Sequence, residues 1–293
     1  MSISRDLIGR QAGPRSSVAE TRWLLSFAAG LGDTKPVHLD TTVSGGLKAH
    51  PLFPVCLEWP VILDLGRDLA AEDLGSGVAI IHASHDTVLL QPIGRDELLT
   101  TTLTVVGLEA KKPGVLVTLL LESRNAQGDL VSSTQQGNFY LGETLDGPDA
   151  APPARDEIDT RPPSTWSGSA EMVFTAGEAH LYTEAARIYN PIHTDRAVAL
   201  AAGLPGLLLH GTSTMGHAVT AVVDQCADGD PTRVQRIMGR FSGMVSLPSR
   251  AMVHWGEPET WGDGLVVRYV VESSSGQRVI DRGVVVLSCD SGP

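Results

Sequence analysis

The sequence predicts an α+β fold of two tandem modules, each a long helix wrapped by an antiparallel sheet. Three observations carry this reading. First, residues 144–165 hold five prolines and a run of acidic residues but no aromatic residue. Such a segment cannot bury enough apolar surface to offset its ordering, so it reads as a linker between modules at 1–143 and 166–293. Second, the two flanking pieces share a motif. GDTKPVHLD at 32–40 aligns without a gap with RIYNPIHTD at 187–195, at an offset of 155. Third, after each motif the apolar pattern changes from helical to strand-like.

Taken in order, the first module begins its helical part with the apolar run 22–31. Residues 77–92 and 98–108 are β-branched and apolar, and read as strands. A strand at 114–122, a turn at 125–129 and a strand from 130 complete the meander. The pair Lys111 and Lys112, before Pro113 and Gly114, marks a hairpin turn. In the second module, Asp195 caps a helix that ends near Gly203, and an apolar segment at 212–222 opens another. Strands follow at 236–245, 249–255 and 265–272, then a turn at 273–277 and a strand at 279–288. Asp40 caps a shorter turn at the place equivalent to Asp195, so both aspartates read as caps rather than catalysts.

Composition narrows the function. With 42% hydrophobic and 19% charged residues the chain can build a sizeable core, which excludes disorder and coiled coil. Lys+Arg 22 against Asp+Glu 34 gives −12, a surface that repels phosphate backbones, so nucleic acid is not an expected partner. An anionic ligand such as coenzyme A needs a local cluster of Arg or Lys working against that field. Cys56, Cys226 and Cys289 are far apart and form no C-x-x-C pair, so neither a disulfide framework nor a zinc site is read. His82 and His85 fall on opposite faces of a regular strand, and His210 and His217 have no third ligand in reach, so no metal is expected. His50, His180 and His254 read as surface or satisfied core histidines. Without G-x-G-x-x-G or a phosphate loop, no nucleotide cofactor is expected, and the segment around Ser213 misses the G-x-S-x-G hydrolase pattern by one residue. Neither a signal peptide nor an apolar run of about 18 residues is present, so a cytosolic protein free of membrane is expected.

The stretch 189–195, YNPIHTD, followed by AAGLP at 201–205 and LLHG at 208–211, resembles the MaoC-like (R)-specific enoyl-CoA hydratases of the hot-dog fold. Their signature is S-G-D-x-N-P-[LIV]-H-x-D, then a helix and a P-[IL]-x-H-G segment. The 18 residues from His193 to Gly211 agree with it. This resemblance implies a double hot-dog protein, a homodimer, that acts as a hydratase or dehydratase on a 2-enoyl or 3-hydroxyacyl thioester of coenzyme A or a carrier protein. No cofactor is implied.

Adding water to an enoyl thioester needs a base for the water, an acid for the α-carbon and a donor for the enolate oxygen. The resemblance assigns the proton transfers to an Asp and a His five residues apart. It assigns the oxyanion to the N–H of the Gly in His-Gly, and gives Asn190 the holding of the water or the loop. The C-terminal module keeps His193, Asn190 and Gly211, but Ile188 stands where the Asp belongs and Arg187 where the Gly belongs. The N-terminal module keeps Asp33 and His38, but Lys35 replaces the Asn, and His50-Pro51 replaces His-Gly with a residue that has no N–H. Three readings stay open. His193 acts largely alone, as in the branch resembling mesaconyl-CoA and methylfumaryl-CoA hydratases, which also lacks the Asp. Alternatively Asp33 and His38 are the working dyad with another donor. In the third, neither site hydrates, and the chain is an acyl-binding module, a thioesterase or another non-hydrating enzyme.

Overall fold

The computed structural model describes residues 2–71 and 79–289. The first module runs β1 (Ser2–Ser4), β2 (Gln11–Ala19), α1 (Thr21–Gly30), α2 (Pro36–Leu39), α3 (Pro54–Ala71), β3 (Ile80–Leu89), β4 (Glu97–Lys111), β5 (Gly114–Arg124), β6 (Leu130–Leu141) and β7 (Thr144–Asp146). The second runs β8 (Gly168–Phe174), α4 (Glu178–Ala186), α5 (Arg196–Ala201), α6 (Gly211–Cys226), β9 (Val234–Phe241), β10 (Ser249–Trp255), β11 (Glu259–Trp261), β12 (Gly264–Ser273) and β13 (Arg278–Ser288). Of the predicted strand at 77–92, residues 77 and 78 lie outside the described residues.

The two modules share one sheet. Its order is β2-β4-β5-β6-β3-β9-β13-β12-β10-β8, with β11 beside β12. The first module supplies five antiparallel strands and the second six, counting the short β11, and the halves meet where β3 pairs antiparallel with β9 from Ser84↔Arg240 to Val88↔Arg236. This is the α+β double hot-dog fold, with a long helix on each half. The period-2 alternation places Val115, Val117, Leu119 and Leu121 of β5 in the core, where Val61 and Leu65 of α3 cover them. α3 packs on β2, β4 and β5, whereas α6 spreads over β9, β10, β12 and β13.

The helices also join the modules. α1 and α4 pack together so closely that a Cβ on Gly30 would lie 2.6 Å from that of Ala185. The indole N–H of Trp23 donates to the Ala185 carbonyl at 3.1 Å, which fixes the pair in register.

Two sequence expectations need correction. The strand at β3 is not regular: its pairing with β6 shifts between His82 and Ser84. The extra residue of such a bulge turns the following side chains over, so His82 and His85 lie on the same face with ring centroids 5.4 Å apart. The acidic, proline-rich segment is also more ordered than its composition suggests. Residues 144–146 form β7, which pairs parallel with β1, and Ala150 bridges to Leu108. Beyond that it lies without regular structure on the outer face of the sheet, fastened by charge. Arg236 donates both Nε and Nη2 to the Asp86 carboxylate at 2.8 Å, and its Nη1 to the Asp156 carbonyl at 2.9 Å. Arg155 donates to the Asp86 carbonyl at 2.8 Å and to the Ser133 hydroxyl at 2.9 Å.

Asp86 is therefore the anion between two mostly buried guanidiniums at the seam of the modules. Removing one partner of such a cluster strands the others away from water. Asp86→Ala is expected to lower the unfolding free energy by about 3 kcal/mol, measured by denaturant titration. A loss below about 0.5 kcal/mol, the scale of an ordinary surface change, would contradict this reading of the seam.

Candidate active site

Both motif copies fold into the same arrangement, a histidine on a short turn beside the start of a long helix. In the C-terminal copy, Asn190 caps the turn Pro191–His193, its Oδ1 accepting from the Ile192 N–H at 3.4 Å. His193 Nδ1 lies 2.8 Å from the Leu208 carbonyl. A carbonyl can only accept, so Nδ1 carries the proton and Nε2 is left as the base. His193 is half-buried, and burial holds its imidazole below the ordinary value, against the opposing pull of the Leu208 carbonyl. Its ring stacks on His210, centroids 3.7 Å apart.

His210 immediately precedes α6. The helix carries no side-chain cap, and its first turn closes with the Thr214 N–H on the His210 carbonyl. The N–H groups ahead of Thr214 therefore have no intrahelical acceptor, and they carry the positive end of the helix dipole. Gly211 leads them. A Cβ on Gly211 would come within 2.8 Å of the Phe241 ring, which would have to shift to admit any other residue. A substitution at Gly211 thus disturbs packing as well as the N–H. Ile188, in the place of the family's Asp, is buried in the core, and its side chain offers no polar atom. Asp195 caps α5, accepting from the Ala197 and Val198 N–H groups.

The N-terminal copy has the carboxylate but is closed. Asp33 accepts from the Lys35 N–H at 3.2 Å, from the Lys35 ammonium through both oxygens at 3.1 Å, and from Thr220 of α6 at 3.1 Å. His38, with Nδ1 on the Lys48 carbonyl at 2.8 Å, is fully buried, and its Nε2 is 3.7 Å from Asp33. His50, also buried, places its Nε2 3.8 Å from Asp33 and 3.1 Å from Thr220. Burial on its own raises the Asp33 carboxyl, but His50, His38 and Lys35 together outweigh it and hold the group below 3.8. Burial drives His50 down to about 3 and lowers His38, so both are neutral at pH 7. At pH 7 the Lys35 ammonium and the Thr220 hydroxyl remain bonded to the Asp33 carboxylate.

The start of α3 is also satisfied. Leu52 N–H donates to His50 Nδ1 at 3.1 Å and Phe53 N–H to the His50 carbonyl at 2.8 Å, while Pro51 has no N–H. Next to Pro51 there is a cavity of only about 20 Å³. A cavity of about 580 Å³ lies at the opposite edge of the C-terminal half, between β8, β10 and the end of α6, and includes neither histidine pair. The sequence places His38 and Asp33 together, as found. Thr220, Asp224 on Lys35 at 2.7 Å, and Phe241 over Gly211 belong to other elements, and no local pattern points to them.

A buried carboxylate so paired contributes stability above pH 3.8, its unfolded value, and this is lost as pH falls through the lower folded value. Asp33→Asn is expected to destabilise the fold by about 3 kcal/mol at pH 7. Denaturant unfolding across pH 2–7 checks this. The gap between wild type and variant should stay constant down to about pH 4 and narrow only below it. A gap that closes between pH 5 and 7 would show that Asp33 is not held ionised.

Residues 151–257 match the MaoC like domain family, and residues 6–134 match the FAS1-like dehydratase domain region. The peroxisomal enoyl-CoA hydratase 2 of Arabidopsis thaliana is 36% identical over 97 residues, covering 33% of this chain and 30% of its own. The peroxisomal multifunctional enzyme type 2 of Drosophila melanogaster is 28% identical over 211 residues, covering 71% of this chain and 34% of its own. The chain thus spans about a third of the length of these curated relatives. Among solved structures, a MaoC-like dehydratase from Phytophthora capsici superposes with a TM-score of 0.80 at 23% identity, over 98% of this chain and 100% of that one, which establishes the fold.

Proposed function

We propose that this chain, which belongs to the MaoC-like, hot-dog dehydratase superfamily, is a hydro-lyase that interconverts a 2-enoyl thioester and its 3-hydroxyacyl form at the C-terminal site. What carries the reading is one juxtaposition. An imidazole with a free Nε2, held by Leu208, stands beside the uncapped N-terminus of α6. The relatives named as enoyl-CoA hydratases support the choice of a coenzyme A thioester as substrate.

One imidazole suffices for the proton balance. His193 Nε2 takes a proton from water as the hydroxide adds to C3, and the π electrons move onto the thioester oxygen. The Gly211 N–H and the helix dipole hold that enolate, an arrangement worth about 10²–10³ in rate for one donor. The imidazolium then returns its proton to C2. Water has supplied both the OH and the H, and His193 is regenerated. Dehydration runs the same steps backwards. With Ile188 in place of a second proton carrier, His193 makes both transfers, and burial favours the neutral form that accepts the first proton.

The same geometry argues against the N-terminal dyad. There the carboxylate is saturated by Lys35 and Thr220, the imidazole is out of reach of solvent, and no N–H is available for an enolate.

Loss of enoyl absorbance with but-2-enoyl-CoA tests the proposal. His193→Ala is expected to lower kcat at least about 10³-fold, at the centre of the range for a general acid–base group, while His38→Ala leaves it within about threefold. The pH profile of kcat/KM should show a single acidic limb with its midpoint below 6.5, because activity needs neutral His193, and no further limb from a carboxylate. Activity lost in His38→Ala but kept in His193→Ala would move the chemistry to the other module. Release of free thiol instead of loss of the double bond would make the protein a thioesterase.

A further inference from the structure

The inner face of the sheet is lined differently in the two modules. Beneath α6 it is aliphatic, with Ile237, Val253, Val267 and Val285 fully buried in one cluster with Val219 and Val222. In the N-terminal half, α3 sits over β2, β4 and β5, and the neighbouring strands β3 and β6 turn polar side chains inwards. A chain of hydrogen bonds crosses from α3 to β3 there. Thr134 donates to Glu58 Oε1, Thr87 lies 2.8 Å from Thr134, and His85 Nε2 lies 2.7 Å from Thr87.

The direction of this chain is fixed by its members, since each hydroxyl has one proton to give. With Thr134 donating to Glu58, Thr87 donates to Thr134 and His85 Nε2–H donates to Thr87. His85 Nδ1 is then a bare acceptor. Among the described residues it has no partner, nor do Glu58 Oε2 and His82 Nε2. A buried polar atom left in this state is costly, and native sites that carry several of them are built for something else that bonds there.

Burial along the same line shows where that partner would come from. Thr87 and Thr134 are at 0% exposure and His85 at 1%, whereas Asn138 and Gln136 reach 6% and 7% and His82 is half-buried. His82 is therefore the most exposed member of the line. Its ring lies 4.7 Å from that of Phe241, the residue that covers Gly211. Phe241 thus touches both Gly211 and His82, and an acyl chain running past its ring from a thioester at Gly211 would meet His82 before His85.

We infer that the polar line over β3 and β6 is a specificity subsite that selects acyl groups carrying a hydroxyl beyond the reacting carbons over plain alkyl chains. This rests on the thioester hydro-lyase reading for the position of the carbonyl. An alkyl chain would leave the imidazole acceptors unpaired. A carboxylate would fare worse. Burial pushes Glu58 up to about 7, opposed by Thr134 and Arg155, and holds His82 and His85 at about 3 and about 4, so no cation faces it from these groups. Arg155, the guanidinium nearest to them, is tied to Asp86 and Ser133 on the outer face of the sheet. A neutral hydroxyl can donate to the unpartnered His85 Nδ1.

Calorimetric binding of saturated thioesters by the full chain tests this without turnover, using hexanoyl-CoA, 6-hydroxyhexanoyl-CoA and adipoyl-CoA. The hydroxylated ligand is expected to bind about tenfold more tightly than hexanoyl-CoA, with adipoyl-CoA weakest. His85→Leu should bring the first two within about twofold by weakening only the hydroxylated one. Asn138→Leu, at the mouth of the line, is the second variant and should also reduce the preference. Equal or tighter binding of hexanoyl-CoA by the wild type overturns the inference, as does failure of all three to bind. Preference for the hydroxylated ligand in a protein that hydrates no enoyl thioester keeps the subsite and removes the hydro-lyase reading.

Discussion

Five residue pairs between β3 and β9 hold this molecule together and decide what can be done with its duplicated motif. Because Ser84 to Val88 lie antiparallel to Arg236 to Arg240, two small sheets become one, and neither leaves an open edge at the centre. The same pairing carries Asp86 to Arg236, so the linker segment fastens across the seam rather than looping free. It also brings His82 of one module against Phe241 of the other, which puts the inner face of β3 next to the start of α6. The N-terminal half-site is therefore completed by the opposite module, through Thr220 of α6 on Asp33, while at the C-terminal one His82 of β3 packs on Phe241, which covers Gly211.

With the N-terminal copy tied to the other module, the two copies need not stay alike. In the N-terminal copy Lys35 stands where the C-terminal copy has Asn190. An ammonium there bonds the carboxylate directly, which converts a proton carrier into a buried ion pair. Pro51 in place of Gly211 removes the N–H, and the satisfied turn at His50 leaves nothing for an enolate to bond. In the C-terminal copy the opposite exchange has been made. Ile188 packs in the core, and the N–H of Gly211 and the base of His193 remain. Three substitutions thus separate a polar clamp between modules from a site with the means to move a proton.

Much of this could be read from the sequence. The nine-residue repeat pointed to the duplication, the strand and turn pattern located β4 to β6 and β10, β12 and β13 but not the short β11, and Asp195 behaves as the helix cap its position implies. What stayed hidden has physical causes. α3 carries Pro54 and Pro60, punctuation that masks a helix whose stability comes from packing on β2 and β4. The bulge after His82 reverses the side-chain alternation on which any face assignment depends, so the neighbouring imidazoles could not be placed together from spacing alone. Thr220 and Asp224 are ordinary residues of an amphipathic helix until the seam sets them against Asp33 and Lys35. Contacts of that kind are long-range, and a local pattern holds no trace of them.

The central claim is that chemistry belongs to the C-terminal copy. A crystal structure with 3-hydroxybutanoyl-CoA bound tests it most directly. The thioester oxygen is expected within hydrogen-bond distance of the Gly211 N–H, with the C3 hydroxyl facing His193 Nε2 and Asp33 still bonded to Lys35 and Thr220. A ligand seated beside Pro51, with Lys35 swung away and its hydroxyl on Asp33 and His38, would contradict it.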